Sequence, residues 1–176
     1  MVFIAKLLVL ALTASATPIL RRDAVTVEND ITQKIGPQTK ILDNDVNGFP
    51  ASGLAGALAI DSDAKTLVTI VNSATSDVYS AGSFSEADGI TILADVQELT
   101  SSFSGTLATL GDQAAAWADI PGGQALVLND LQSLNTTFVE FANALIAAVP
   151  ADLVPSAESI KTQITDAFSS EIAAYS

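Results

Sequence analysis

The sequence predicts an all-α protein, an antiparallel bundle of about five amphipathic helices. Apolar residues recur at spacings of three and four along most of the chain, the period of a helix with one buried face. Proline and glycine clusters then divide that pattern into segments of bundle-helix length, joined by short turns. At 176 residues, 49% of them hydrophobic, the chain can bury one core without covalent cross-links. Strand signals are weak, and the best of them, Thr66–Val71, lies inside a longer helical pattern.

The first stripe runs Val27, Ile31, Ile35, Leu42, Val46. Gly36-Pro37 interrupts it and is expected to kink or break that helix, and the segment Asn47–Gly53 ends it. A second stripe, Leu54, Leu58, Ala64, Leu67, Val71, Ala74, Val78, stops at Ser80–Ser83. The third opens at Ser85, an N-cap with Glu86 and Asp88 in the first turn. It continues through Leu93, Val96, Phe103, Leu107 and Leu110, and the same register reaches Ala114 and Trp117 before Pro121-Gly122-Gly123. The fourth, Leu131, Leu134, Phe138, Phe141, Leu145, Val149, closes at Pro150, because a residue before proline is pushed out of the helical region. The fifth is Leu153, Ala157, Ile160, Ile164, Phe168, Ile172, with Pro155 in a first turn where a missing N–H costs little.

The ends of the chain bear on its destination. Residues 1–16 read as a secretory signal peptide: Lys6, the apolar run Leu7–Leu12, then the small residues Ala14-Ser15-Ala16. Leu20-Arg21-Arg22 has two readings, the dibasic end of a short propeptide at 17–22 or a basic pair in an ordinary tail. The mature N-terminus is accordingly expected at Thr17 or Asp23, with a single domain over 23–176. Starting at Asp23, four lysines face twenty acidic residues, a net charge of −16. No later apolar run is long enough to span a bilayer, and the last residues, Glu171–Ser176, lack the hydrophobic tail of a lipid-anchor signal. A soluble, exported product is expected, and Asn135-Thr136-Thr137 is then a glycosylation sequon, usable only if Asn135 faces solvent.

Composition removes most chemistry. Without histidine or cysteine there is no Ser-His-Asp or Cys-His machinery, no imidazole base, no thiolate ligand and no disulfide. A formal charge of −13 for the whole chain argues against nucleic acid and anionic membranes as partners. The acidic pairs Asp43/Asp45, Asp61/Asp63 and Glu86/Asp88 are spaced i,i+2, so they splay around a helix and read as solvated charge instead of a catalytic dyad. Asp43–Gly48 faintly resembles a calcium loop, but its twelfth position is Leu54, not glutamate. No enzyme activity, cofactor or metal is expected.

Some stripes are broad, as at Ile90, Ile92, Leu93 and at Val68, Ile70, Val71. Either the surplus is ordinary core and surface, or it signals an apolar pocket or patch. For a pocket, the inward positions of the third to fifth helices supply the candidates: Leu93, Val96, Phe103, Leu131, Leu134, Phe138, Phe141, Leu145, Ile164 and Phe168.

Four stretches stand in a telling order: Ser73–Val78, then Phe84–Asp88 leading into Leu93–Leu99, then Leu128–Leu134, then Ala144–Ala151. That order resembles the fungal hydrophobic surface-binding protein A family, which includes cell-wall galactomannoprotein antigens. The resemblance covers about Ala24 to Tyr175. It implies a small secreted or wall-associated helical bundle, without catalytic residues, that holds fatty-acid-like lipids or adsorbs to hydrophobic surfaces such as wax or polyester. A secreted hydrolase recruited to that surface is a further expected partner. A structural or antigenic wall component without a specific ligand is the alternative.

Overall fold

The computed structural model describes the backbone of residues 17–176 and the side chains from residue 23 onward; the expected signal peptide at 1–16 lies outside them. The elements are α1 (Thr17–Asn29), a π-helical turn (Asp30–Ile35), α2 (Gly36–Gly48), α3 (Gly53–Ala81), α4 (Glu86–Asp112), α5 (Ala114–Ala118), α6 (Gly123–Ala148), a 3₁₀ turn (Ala151–Leu153) and α7 (Val154–Ala174). The first three follow one another without interruption, so the fold is built from five long rods, as the periodicity predicts.

Gly36-Pro37 does not break the first rod. The Gly36 N–H reaches back to the Ile31 carbonyl, closing a wide turn that leaves Pro37 in the first turn of α2. A proline there removes no intrahelical bond, so one inserted π turn absorbs the missing donor. The α3 stripe also differs from its sequence reading at the start. Leu54 and Leu58 are 62% and 55% exposed, and the inward positions are Ala57 and Ile60, which continue in phase into Ala64, Leu67 and Val71. The third stripe likewise does not reach Trp117 in one register, because α4 ends at Asp112 and α5 carries Trp117 separately into the core. Ser85 caps α4 as expected, its Oγ accepting the Asp88 N–H at 3.2 Å and donating to Asp88 Oδ2 at 2.6 Å.

The rods form a closed ring. α3 packs on α6, α6 on α7 and α7 on α4, and the α1–α2 rod fits between α4 and α3. Successive rods alternate in direction, but the ring also sets rods of like direction side by side. At the α4/α7 seam, Gly89 lies against Pro150 and Leu153 at one end, and Gly111 lies under Glu171 at the other. A Cβ at Gly89 would come within 2.8 Å of Leu153, so glycine permits that close approach. The inward faces of all five rods share one apolar core.

Candidate functional site

The interior of the ring is the place where this sequence concentrates apolar chemistry. Phe103 of α4, Phe138 of α6 and Phe168 of α7 meet there as a triangle of rings, with centroids 5.4, 5.9 and 6.0 Å apart. Aromatic contacts at these separations add to the burial term. At the far end Phe49 stacks on Trp117 at 4.4 Å, closing the bundle. Gln113 strengthens that closure, its amide donating to the carbonyls of Val46 and Phe49 at 2.8 and 2.9 Å. The buried Tyr175 hydroxyl donates to the Leu110 carbonyl, and burial, then the nearby Glu171 charge, raises its pKa.

Two small voids flank Phe103 and Leu107. One, about 10 Å³, lies beside the aromatic triangle and is bounded by Leu99, Phe138, Ile164 and Phe168. The other, about 20 Å³, runs toward Leu42, Val46, Ile60, Leu131 and Leu134. Both are far below the roughly 300–1,000 Å³ of a ligand pocket, so the ring as described is a nearly filled core. Outside it, a groove of about 440 Å³ follows the seam of the first rod with α4, lined by Ile31, Thr39, Lys40, Asp43, Asp95, Glu98, Leu99 and Thr106. It shares Leu99 with the smaller void and Thr106 with the larger. Thr106 Oγ1 donates to Asp43 Oδ1 at 2.7 Å, a polar latch from α4 to α2 directly over the interior.

All ten sequence candidates are buried. Phe103, Phe138, Ile164 and Phe168 meet at the smaller void, and Leu131 and Leu134 join Phe103 at the larger. Leu93 borders an open surface depression with Ile160, whereas Val96, Phe141 and Leu145 line none of these spaces. Asn135 sits in mid-α6, half-buried, with Oδ1 shielded and unpartnered. The larger void also draws on α2 and α3, which the candidate list left out although their stripes were legible.

The carboxylates are less dispersed than their sequence spacing suggests. Asp63 faces Asp45 across α3 and α2, and its pKa is raised, first by burial and then by the hydrogen bond with Asp45, while the Gln38 amide at 3.1 Å opposes the shift. Asp77 is raised chiefly by a hydrogen bond with the buried Asp30, which also pairs with Lys34. Asp95 is raised by burial and by the charges of Glu28 and Glu98. Asp130 is pushed up to about 7 by burial and the Asp61 charge, against the pull of Lys65. Asp43, part of the faint calcium-loop pattern, lies within α2. Among the described residues no cluster of acidic side chains has the form of a metal site.

Residues 24–147 match the family model of hydrophobic surface binding protein A. The chain belongs to that family. Among its relatives, cell wall mannoprotein 1 of Aspergillus fumigatus is 31% identical over 175 residues, taking in 98% of this chain and 60% of that protein. This hydrophobic surface binding protein A domain thus spans about 60% of its relative's length. Solved structures share its shape: AfMp4p in complex with palmitic acid has a TM-score of 0.81 at 26% identity, over 87% of this chain and 99% of that one. Ligand binding domain 1 of the Penicillium marneffei MP1 protein, complexed with arachidonic acids, has a TM-score of 0.80 at 18% identity, over 87% and 99%. The second resemblance is one of fold.

Proposed function

We propose that this protein is a secreted, non-catalytic binder of long-chain hydrophobic molecules, which it takes up inside the ring of rods. The observation that carries the reading is the continuous apolar interior shared by α2, α3, α4, α6 and α7, in the fold that AfMp4p uses in its palmitic acid complex. The signal-like N-terminal sequence and the mannoprotein relative support an extracellular or wall-associated location. Among the described residues no helix is long and apolar enough to cross a membrane.

The energetics favour uptake once the interior opens. A sixteen-carbon chain transferred from water gains about 0.8 kcal/mol per methylene, roughly 12 kcal/mol gross. Association and ordering remove several of those, and separating the rods removes more. A net affinity on the order of micromolar is consistent with that balance. Entry requires rods to part, because the voids together hold too little space for a chain, and the groove at the seam of the first rod with α4, which shares Leu99 and Thr106 with the voids, favours that seam. The Thr106–Asp43 latch bridges that seam.

Displacement of a fluorescent fatty acid from delipidated protein tests the reading. Saturable, competable binding is expected; its absence would leave a structural wall component. A second mode has its own observation: Leu54 and Leu58, one turn apart on α3, are both largely exposed. They suit adsorption to wax or polyester, where a secreted hydrolase could be recruited, and a quartz-microbalance isotherm on a hydrocarbon monolayer would measure it.

A further inference from the structure

A fatty-acid head carries hydrogen-bond acceptors, so a dry site for it needs a buried donor. Among the described residues one buried side-chain donor lacks a hydrogen-bond partner, the indole N–H of Trp117, in a residue that is 0% exposed. Buried indoles ordinarily find an acceptor, and an unmet donor in an apolar interior is costly. An acceptor of the same end cap is also unmet. Gln113 donates its amide to the Val46 and Phe49 carbonyls, while its Oε1 is buried without a partner. The two residues are neighbours: the Trp117 backbone N–H donates to the Gln113 carbonyl at 3.1 Å, a spacing of four that sets both side chains on one helical face. Phe49, whose carbonyl accepts from Gln113, stacks on Trp117. The other buried atoms without a partner are acceptors, on Asp30, Asp61, Asp95 and Asn135.

The cap also stands at the right distance along the interior for a long chain. Leu110 and Val46, whose carbonyls accept from the Gln113 backbone N–H and side-chain amide, both line the larger void. From Gln113 back to Leu99 the helical rise amounts to about 21 Å, close to the length of an extended sixteen-carbon chain. Every α4 residue that borders either void falls within that stretch. Resting on the lipid-binding reading above, we propose that the end cap is the head-group subsite, where Trp117 and Gln113 hold the carboxyl of a long-chain fatty acid whose tail runs to the aromatic triangle. A carboxylic acid group meets both unused atoms: its carbonyl oxygen accepts from the indole and its hydroxyl donates to Gln113 Oε1. The outer groove is the competing place for the head, but there one lysine, Lys40, stands among Asp43, Asp95 and Glu98.

Trp117 is the chain's only tryptophan, so its emission reports this subsite alone. Bromine quenches an indole only at close range. Hexadecanoic acid brominated beside the carboxyl should therefore quench Trp117 several-fold more than the same acid brominated at its methyl end, at equal occupancy judged by displacement of radiolabelled palmitate. Trp117→Phe keeps a ring against Phe49 and removes the donor. Palmitate affinity should then fall about tenfold, the loss of one hydrogen bond, while hexadecane, which has no head, binds as before. If that variant does not fold, the bromine comparison on the native protein still decides. Equal or stronger quenching by the methyl-end bromine would overturn the proposal and put the head elsewhere, the Lys40 groove first. So would equal losses for palmitate and hexadecane in Trp117→Phe, which would make the indole plain packing with its N–H met by solvent. If palmitate does not bind the native protein at all, the lipid-binding reading itself fails, a result distinct from either of these.

Discussion

The two sides of the ring are held by different physics. On the α4–α6–α7 side the interior contacts are rings and aliphatic groups, with Phe103, Phe138 and Phe168 closed into one cluster, and polar bridges are fewer, Gln97 to Gln163 at 2.9 Å and Tyr175 to the Leu110 carbonyl. On the side of the first rod, Leu42 and Val46 are buried too, but the seams carry polar bridges: Gln38 to Asp63, Thr106 to Asp43, and the facing carboxyls Asp45/Asp63 and Asp30/Asp77. Apolar surfaces regain nothing when separated in water, whereas carboxyls, amides and hydroxyls regain hydration. The first rod is therefore the element best suited to move aside, and the aromatic side is the fixed wall.

The largest effects should come from that wall. Phe141→Ala should lose about 3–5 kcal/mol in urea unfolding and leave lipid affinity of the folded protein unchanged, because Phe141 is packed on all sides and lines no void. Phe138→Ala should lose less stability and more affinity, since Phe138 borders a void and has fewer partner atoms to forfeit. Equal stability losses with unaltered binding in both would place these phenylalanines in plain core and remove the wall from the ligand path.

The next effect tests the polar side by pH. Folded Asp130 keeps its proton up to about 7, against 3.8 for an ordinary aspartate, so between these values the folded state binds the extra proton. Stability should fall as the pH rises through that window and level off above it, by on the order of 4 kcal/mol at most. Asp63 and Asp77 shift in the same direction. Melting temperatures at pH 5 and pH 8 check this, and Asp130→Asn should flatten the profile. A protein more stable at pH 8 would contradict the assignment.

Smaller again is the latch. Thr106→Val removes its bond to Asp43 and should cost about 1 kcal/mol. If the first rod is the moving element, ligand association in stopped flow should accelerate; an unchanged rate would put the entrance elsewhere. Smallest in stability are Leu54→Ser and Leu58→Ser, expected within about 0.5 kcal/mol because both side chains are exposed. Their adsorption to a hydrocarbon monolayer should nevertheless weaken, and unaltered adsorption would remove that face from the surface-binding mode.

The rods were legible from local signals alone. Helix periodicity, the Ser85 cap and the stops at Pro121-Gly122-Gly123 and Pro150 are local, because caps and breakers act within a turn or two of their own residue. The inward stripes were legible for the same reason, and all ten candidate residues are buried. Where the local signal was ambiguous, packing decided: Ala57 and Ile60 face inward in place of Leu54 and Leu58, and a π turn carries the first rod past Pro37. The order of the ring was decided only by the tertiary structure. A short link such as Ala81–Ser85 fixes that α3 and α4 run in opposite directions, yet not that α3 packs against α6 and α4 against the first rod and α7. The same holds for Asp130, whose periodicity marks only a polar residue beside an apolar stripe. Its burial against the void, and the field of Asp61 beside it, arise from the packing of α6 on α3, a contact between residues far apart in sequence.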